Sequence, residues 1–212
     1  MEYINFLTRW GHLLFGITWI GLLYYFNFIQ GGYFKQAGPE ALKDAKAKLA
    51  PSALWWFRWG AMFTFLTGLV LLMGVQGKSV MNDYIVVGAL LGTLMFLNVW
   101  LVIWPNQKIA LGMVEGDGPA AGAKALLASR TNTLFSAPMA YCMLASPHMG
   151  YSADALLSAN GGGAGLIAAV VAVLALEANG LFGKQGPMTT VQGVIVSSLV
   201  LTAVLVGLIT AL

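Results

Sequence analysis

The sequence predicts an all-α integral membrane protein, a six-transmembrane-helix bundle with both termini on the periplasmic side. Three observations carry this expectation. Of 212 residues, 58% are hydrophobic and 9% charged, against roughly 25% charged residues in soluble domains. Mean hydropathy is +0.78, and apolar stretches of bilayer-crossing length recur along the chain. Basic residues also alternate between connections. With odd connections in the cytoplasm, Lys35, Lys43, Lys46, Lys48, Arg58, Lys108, Lys124, Arg130 and Lys184 lie there, leaving Arg9 and Lys78 outside. Short cytoplasmic loops carry such an excess of Lys and Arg, which sets the orientation.

The six spans are expected at 8–29, 53–76, 84–104, 130–148, 164–183 and 190–211, in a single transmembrane domain over 1–212 without internal repeats. The first contains His12, with Gly16 and Trp19 following on the same helical face. Before the second span, residues 39–49 read as a short cytoplasmic surface helix. It is charged at Glu40, Lys43, Asp44, Lys46 and Lys48 and closed by Pro51. Trp55, Trp56, Trp59, Trp100 and Trp104 form an aromatic belt at the cytoplasmic ends of spans two and three. The connection from Met149 to Gly163 has no lysine or arginine and runs through Asn160-Gly161-Gly162-Gly163. The 26 glycines suit helices packed closely in lipid.

Several function classes are excluded. The single cysteine, Cys142, allows neither a disulfide framework nor a C-x-x-C-H site for covalent haem. There is no Gly-rich phosphate loop, zinc-type spacing or Ser/His/Asp arrangement. The basic residues sit in short loops, so the net charge of +3 does not point to nucleic acid. No signal peptide is expected, because the first apolar run is too long and lacks a basic segment before it.

The chemistry-bearing residues fall into three groups. His12 and His148 are the only histidines, and the topology puts both at similar depth on the outer side. Two histidines from different helices of a bundle can hold a haem iron axially. His12 and His148 are then the metal ligands, Gly16 leaves room for the macrocycle, Trp19 walls it, and Arg9 pairs with a propionate. The competing reading makes His12 a hydrogen-bonded helix contact and leaves His148 in a loop, since Pro147 biases Ser146 away from helix. Second, Arg130, Thr131, Asn132 and Thr133 open the fourth span, where a helix N-terminus favours an anion such as a carboxylate or lipid phosphate, or is simply capped. Third, Glu177 lies in an otherwise apolar helix and either pairs with Arg130 or serves a proton or substrate path. Asn106 is a further polar group on the cytoplasmic side. The outer methionines Met73 and Met149, with the histidines, also suit soft copper.

The order Arg9-Trp10-x-His12, Gly16, Trp19-Ile20-Gly21, Tyr24-Tyr25-Phe26, then Trp56-Phe57-Arg58-Trp59, then Ile103-Trp104-Pro105-Asn106-Gln107-Lys108, resembles the membrane domain of bacterial membrane-bound urate oxidases (urate hydroxylases). Arg130-Thr131-Asn132-Thr133-Leu134 resembles the short members of that family, and the likeness runs from Arg9 to His148. Full-length members carry a cytochrome c domain after the membrane part; this chain reads to Leu212 without one. Longer members also place a histidine and a carboxylate where this chain has Trp55 and Gly60. The resemblance implies a multi-pass protein of the bacterial cytoplasmic membrane, surrounded by membrane lipids. Its function would be urate-oxidase-like redox chemistry with electrons leaving to a separate cytochrome c, and the histidine pair with a single cysteine makes haem b the expected redox cofactor. The alternative is a non-catalytic accessory subunit of a larger respiratory or oxidase complex.

Overall fold

The computed structural model describes residues 2–75, 81–149 and 163–211, and every element among them is helical. Six long helices follow in order: α1 (Glu2–Gln36), α2 (Pro39–Val75), α3 (Asp83–Ala110), α4 (Gly118–His148), α5 (Ala164–Phe182) and α6 (Val191–Ala211). A 3₁₀ turn at Gly186–Thr189 joins the last two. Among the described residues α1, α2, α3, α5 and α6 are long and apolar enough to cross a membrane. Lys78, Asp154 and Ser158 lie outside the described residues.

The helix boundaries differ from expectation at three places. The surface helix over 39–49 does not end at Pro51 but continues into the second span as one helix, α2. A π-wound stretch at Ala45–Leu49 comes just before Pro51, so the wider turn sits where proline supplies no N–H to the helical ladder. The third span runs on to Ala110. The fourth begins at Gly118, not Arg130, because Asp117 caps it, accepting from the Ala120 N–H at 3.0 Å, with Pro119 in the first turn. A search for apolar stretches passes over this start, whose first turns are mostly alanine with Lys124.

α4 is the centre of the bundle. Fifteen of its residues are buried, including a continuous run from Ala128 to Ser136. α3, α5 and α6 pack directly on it, and α1 reaches it through Tyr24, whose hydroxyl lies 2.9 Å from Ser136 Oγ. α2 packs on the far side of α1 and against α3, where Phe65 and Phe96 stack at 4.1 Å. The core between these helices is apolar: Leu23, Phe57, Leu91, Met95, Phe135 and Val173 are all buried. Over Ala128–Ser136 the helix is enclosed on all sides, so this stretch can be more polar than a lipid-facing one provided its polar groups find partners.

Candidate functional site

Successive residues of a helix point about 100° apart, so five in a row look out in every direction. On α4 those five are Ser129, Arg130, Thr131, Asn132 and Thr133, all buried. Each meets a different part of the bundle. Ser129 Oγ accepts from Asn27 Nδ2 of α1 at 2.8 Å. Arg130 Nη1 donates to the Thr190 carbonyl, just before α6, at 3.3 Å. Thr131 packs against Gly180 of α5 so closely that a methyl there would come within 2.6 Å of its hydroxyl oxygen. Asn132 faces α3, donating to the Met95 carbonyl at 2.9 Å. The Thr133 and Leu134 carbonyls accept from Ser198 Oγ of α6, at 3.3 and 2.8 Å.

The Asn132 direction holds the most chemistry. Asn98 Nδ2 donates both to Asn132 Oδ1 at 2.9 Å and to Glu177 Oε2 at 3.1 Å. Residues from α3, α4 and α5 therefore meet in one buried chain of amide, amide and carboxylate. Asn98, Asn132 and Glu177 are 2%, 0% and 7% exposed, so the carboxylate is held away from water with an amide donor as its partner. Asn98 opens a π-wound stretch, Asn98–Ile103, and Asn27 lies in another, Tyr25–Gln30. Such local widening of a helix occurs frequently at functional sites.

Glu177 does not pair with Arg130. Among the described residues the ion pair present is Lys48 with Asp44, on the surface part of α2. The reason is angular: Arg130 points to the α5–α6 connection, while Glu177 sits on the side of α4 that Asn132 faces. Arg130 is also the thirteenth of the 31 residues of α4 and not at its N-terminus, so the expected helix-end anion site is absent from that position. Its Nε is buried without a hydrogen-bond partner. Asn106 donates to the Val102 carbonyl of its own helix at 2.7 Å and takes no part in the cluster.

The outer residues form a different arrangement. His12 Nδ1 lies 2.9 Å from the Thr64 carbonyl oxygen and 3.1 Å from Thr67 Oγ1, both on α2. A carbonyl only accepts, so Nδ1 carries the proton and the neutral ring keeps its lone pair on Nε2. A methyl at Gly68 would come within 3.1 Å of His12 Cε1, so the glycine beneath the ring is Gly68 of the neighbouring helix. Gly16 and the backbone of Trp19 lie against α2: the nearest atom to a methyl at Gly16 is Thr64 Cγ2, and one at Gly60 would lie 3.2 Å from the Trp19 backbone nitrogen. Arg9 is exposed and donates from Nε to Asn5 Oδ1 at 2.7 Å. His148 is the last residue of α4, exposed, in a hollow lined by Tyr141, Leu144, Ala145 and Met149 of the same helix end. The pairs Tyr24–Ser136 and Asn27–Ser129 show that α1 and α4 run antiparallel, so His12 and His148 both lie toward the same end of the bundle. Thr64, Thr67 and Gly68, the residues that meet the His12 ring, are all on α2.

Sequence reasoning missed Asn98 and Asn27 as participants. Asn98 sits between Phe96-Leu97 and Val99-Trp100, and a lone amide in such a run is itself a signal. In the comparisons, the model of the family described as urate oxidase N-terminal matches residues 75–209. No curated protein and no solved structure matches. The matched segment contains Asn98, Asn106, Arg130, Asn132, His148 and Glu177, while Arg9, His12, Gly16 and Trp19 precede it.

Proposed function

This chain belongs to the urate oxidase N-terminal family, and from that premise we propose that it is a membrane redox protein that oxidises urate or a urate-like purine. The observation that carries the reading is the buried Asn98–Asn132–Glu177 cluster inside the family-matched segment. A purine of this kind presents ring N–H donors and C=O acceptors, which amides and a carboxylate complement. Oxidative hydroxylation of urate consumes one water and releases two protons and two electrons. Glu177 takes up a proton at its carboxylate, Asn98 holds that carboxylate in place, and Asn132 fixes Asn98 against α3. The electrons pass one at a time to two molecules of a separate cytochrome c, at the bacterial cytoplasmic membrane.

Haem b fits one of the residues expected to bind it. Protonation of His12 at Nδ1 leaves Nε2 as the ligating nitrogen, the arrangement common to metal-bound histidines. His148, toward the same end of the bundle, is the second candidate ligand, and Arg9 the candidate propionate partner. Gly16 offers no room for a macrocycle on the face where Thr64 of α2 packs against it, and Trp19 is fully buried. Haem, when bound, supplies one-electron transfer. The same α1–α2 seam favours a second reading, in which the chain is a non-catalytic accessory subunit of a larger respiratory or oxidase complex.

Purified protein in mild detergent, given urate and oxidised cytochrome c, is expected to reduce the cytochrome at a 2:1 ratio to urate consumed. Glu177→Gln is expected to lower the rate at least tenfold with the fold intact. An inert wild-type protein that copurifies with a stoichiometric large partner would establish the accessory reading instead. An optical scan of the same preparation reports on haem: a Soret band lost in His12→Ala supports that ligand, and a colourless active protein removes haem from the proposal.

A further inference from the structure

Two cations share one ring at the lysine-rich end of the bundle. The Arg58 guanidinium carbon lies 3.7 Å from the centroid of Trp104, and Lys108 Nζ lies 5.6 Å from the same centroid. Neither makes an ion pair among the described residues, where the pair formed is Lys48–Asp44. Arg58 Nη1 is buried without an acceptor, although the residue as a whole is partly exposed. Trp100 Nε1 is likewise buried with no acceptor. Trp100 meets Trp59 edge to face at 5.7 Å, and Trp59 adjoins the half-exposed Trp55 at 6.3 Å.

Two like charges brought to one indole repel, and each gains only a modest cation–π attraction from the ring. A shared counter-anion resolves both. Depth identifies the source of that anion. Arg58 lies 17 residues from Val75 and Trp104 lies 21 residues from Asp83, the opposite ends of their helices, and both lengths suffice to cross the hydrocarbon core. The cations therefore stand at headgroup level, with tryptophans alongside as interfacial anchors and apolar wall. Basic pockets between transmembrane helices on the cytoplasmic side bind acidic lipid headgroups.

We propose that Arg58, Lys108 and Trp104 form a binding site for the phosphate of an anionic phospholipid, seated at the α2–α3 interface with its acyl chains against the tryptophan cluster. The site uses none of the residues assigned to urate chemistry, so it stands or falls separately. The test is lipid retention by the full chain, read by native mass spectrometry from nanodiscs of equal phosphatidylglycerol and phosphatidylcholine. Wild type is expected to retain phosphatidylglycerol preferentially. Arg58→Gln and Lys108→Gln are each expected to lower that preference about fivefold, and Arg58→Lys to retain most of it. Lys46→Gln, an exposed cation on the surface part of α2, is the control and is expected to leave it unchanged. Equal loss in the control, or no loss in either site variant, overturns the proposal. Displacement of the lipid by millimolar inorganic phosphate would overturn the lipid assignment in favour of a free-anion site. Should Arg58→Gln misfold, Lys108→Gln and Arg58→Lys carry the same decision.

Discussion

At the scale of single residues, burial and partnership separate groups that look alike in the sequence. Asn132 and Asn106 are both amides on the lysine-rich side of the chain. Asn132 is fully buried and bonded at both ends, to Asn98 and to the Met95 carbonyl, whereas Asn106 returns to its own helix. Removing a partner inside such a network leaves buried polar groups unpaired, at about 1–3 kcal/mol each. Asn132→Leu is therefore expected to lower the unfolding midpoint by several degrees. Asn106→Ala is expected to stay within about 0.5 kcal/mol of wild type. The lone thiol of Cys142 is buried, so a thiol-reactive dye added during heating reads the transition directly. Equal midpoints for the two variants would mean that the amide cluster contributes nothing to the fold.

At the scale of helices, close approach depends on a few glycines. Gly180 of α5 lies against Thr131 so tightly that a methyl would meet Oγ1, Cγ2 and Cβ at 2.6, 2.8 and 2.9 Å. Gly207 of α6 has nothing within 4 Å of the same position. Gly180→Ala is expected to cost about 1–3 kcal/mol by forcing α5 off α4, and Gly207→Ala to be neutral or slightly stabilising. Adding Thr131→Ala to Gly180→Ala removes two of the three clashing atoms and is expected to restore part of the loss, which a double-mutant cycle of melting curves measures. Gly180→Ala also presses on the element carrying Glu177, so a loss of activity larger than the loss of folded protein would tie that packing to the site.

At the scale of the whole molecule, the charge distribution predicts which end faces the cytoplasm. Single cysteines at Lys46 and Lys184 are expected to react with an impermeant thiol reagent from the same side, and one at the exposed Tyr3 from the opposite side. Labelling of Tyr3→Cys and Lys46→Cys from one side would overturn that orientation. Cys142 stays silent in this assay because it is buried.

The amino-acid pattern by itself determined that the protein is helical, with several helices apolar enough for a membrane, and that Glu177 and Asn132 sit in segments where polar groups are costly. Those properties are local: hydropathy over 20 residues and the composition of one turn settle them. Partnership is not local. Glu177 bonds Asn98, which is 79 positions away, and not Arg130, because the rotation of α4 within the bundle aims Arg130 and Asn132 at different neighbours. His12 rests on Gly68 and not on Gly16, because the space beneath its ring is made by the next helix. The start of α4 at Gly118 was written in Asp117 and Pro119, yet its first turns are largely alanine with Lys124 and not a long apolar run, so hydropathy passed over it. Only the packed bundle decided which polar residues meet, since a helix presents its side chains in every direction and its neighbours select among them.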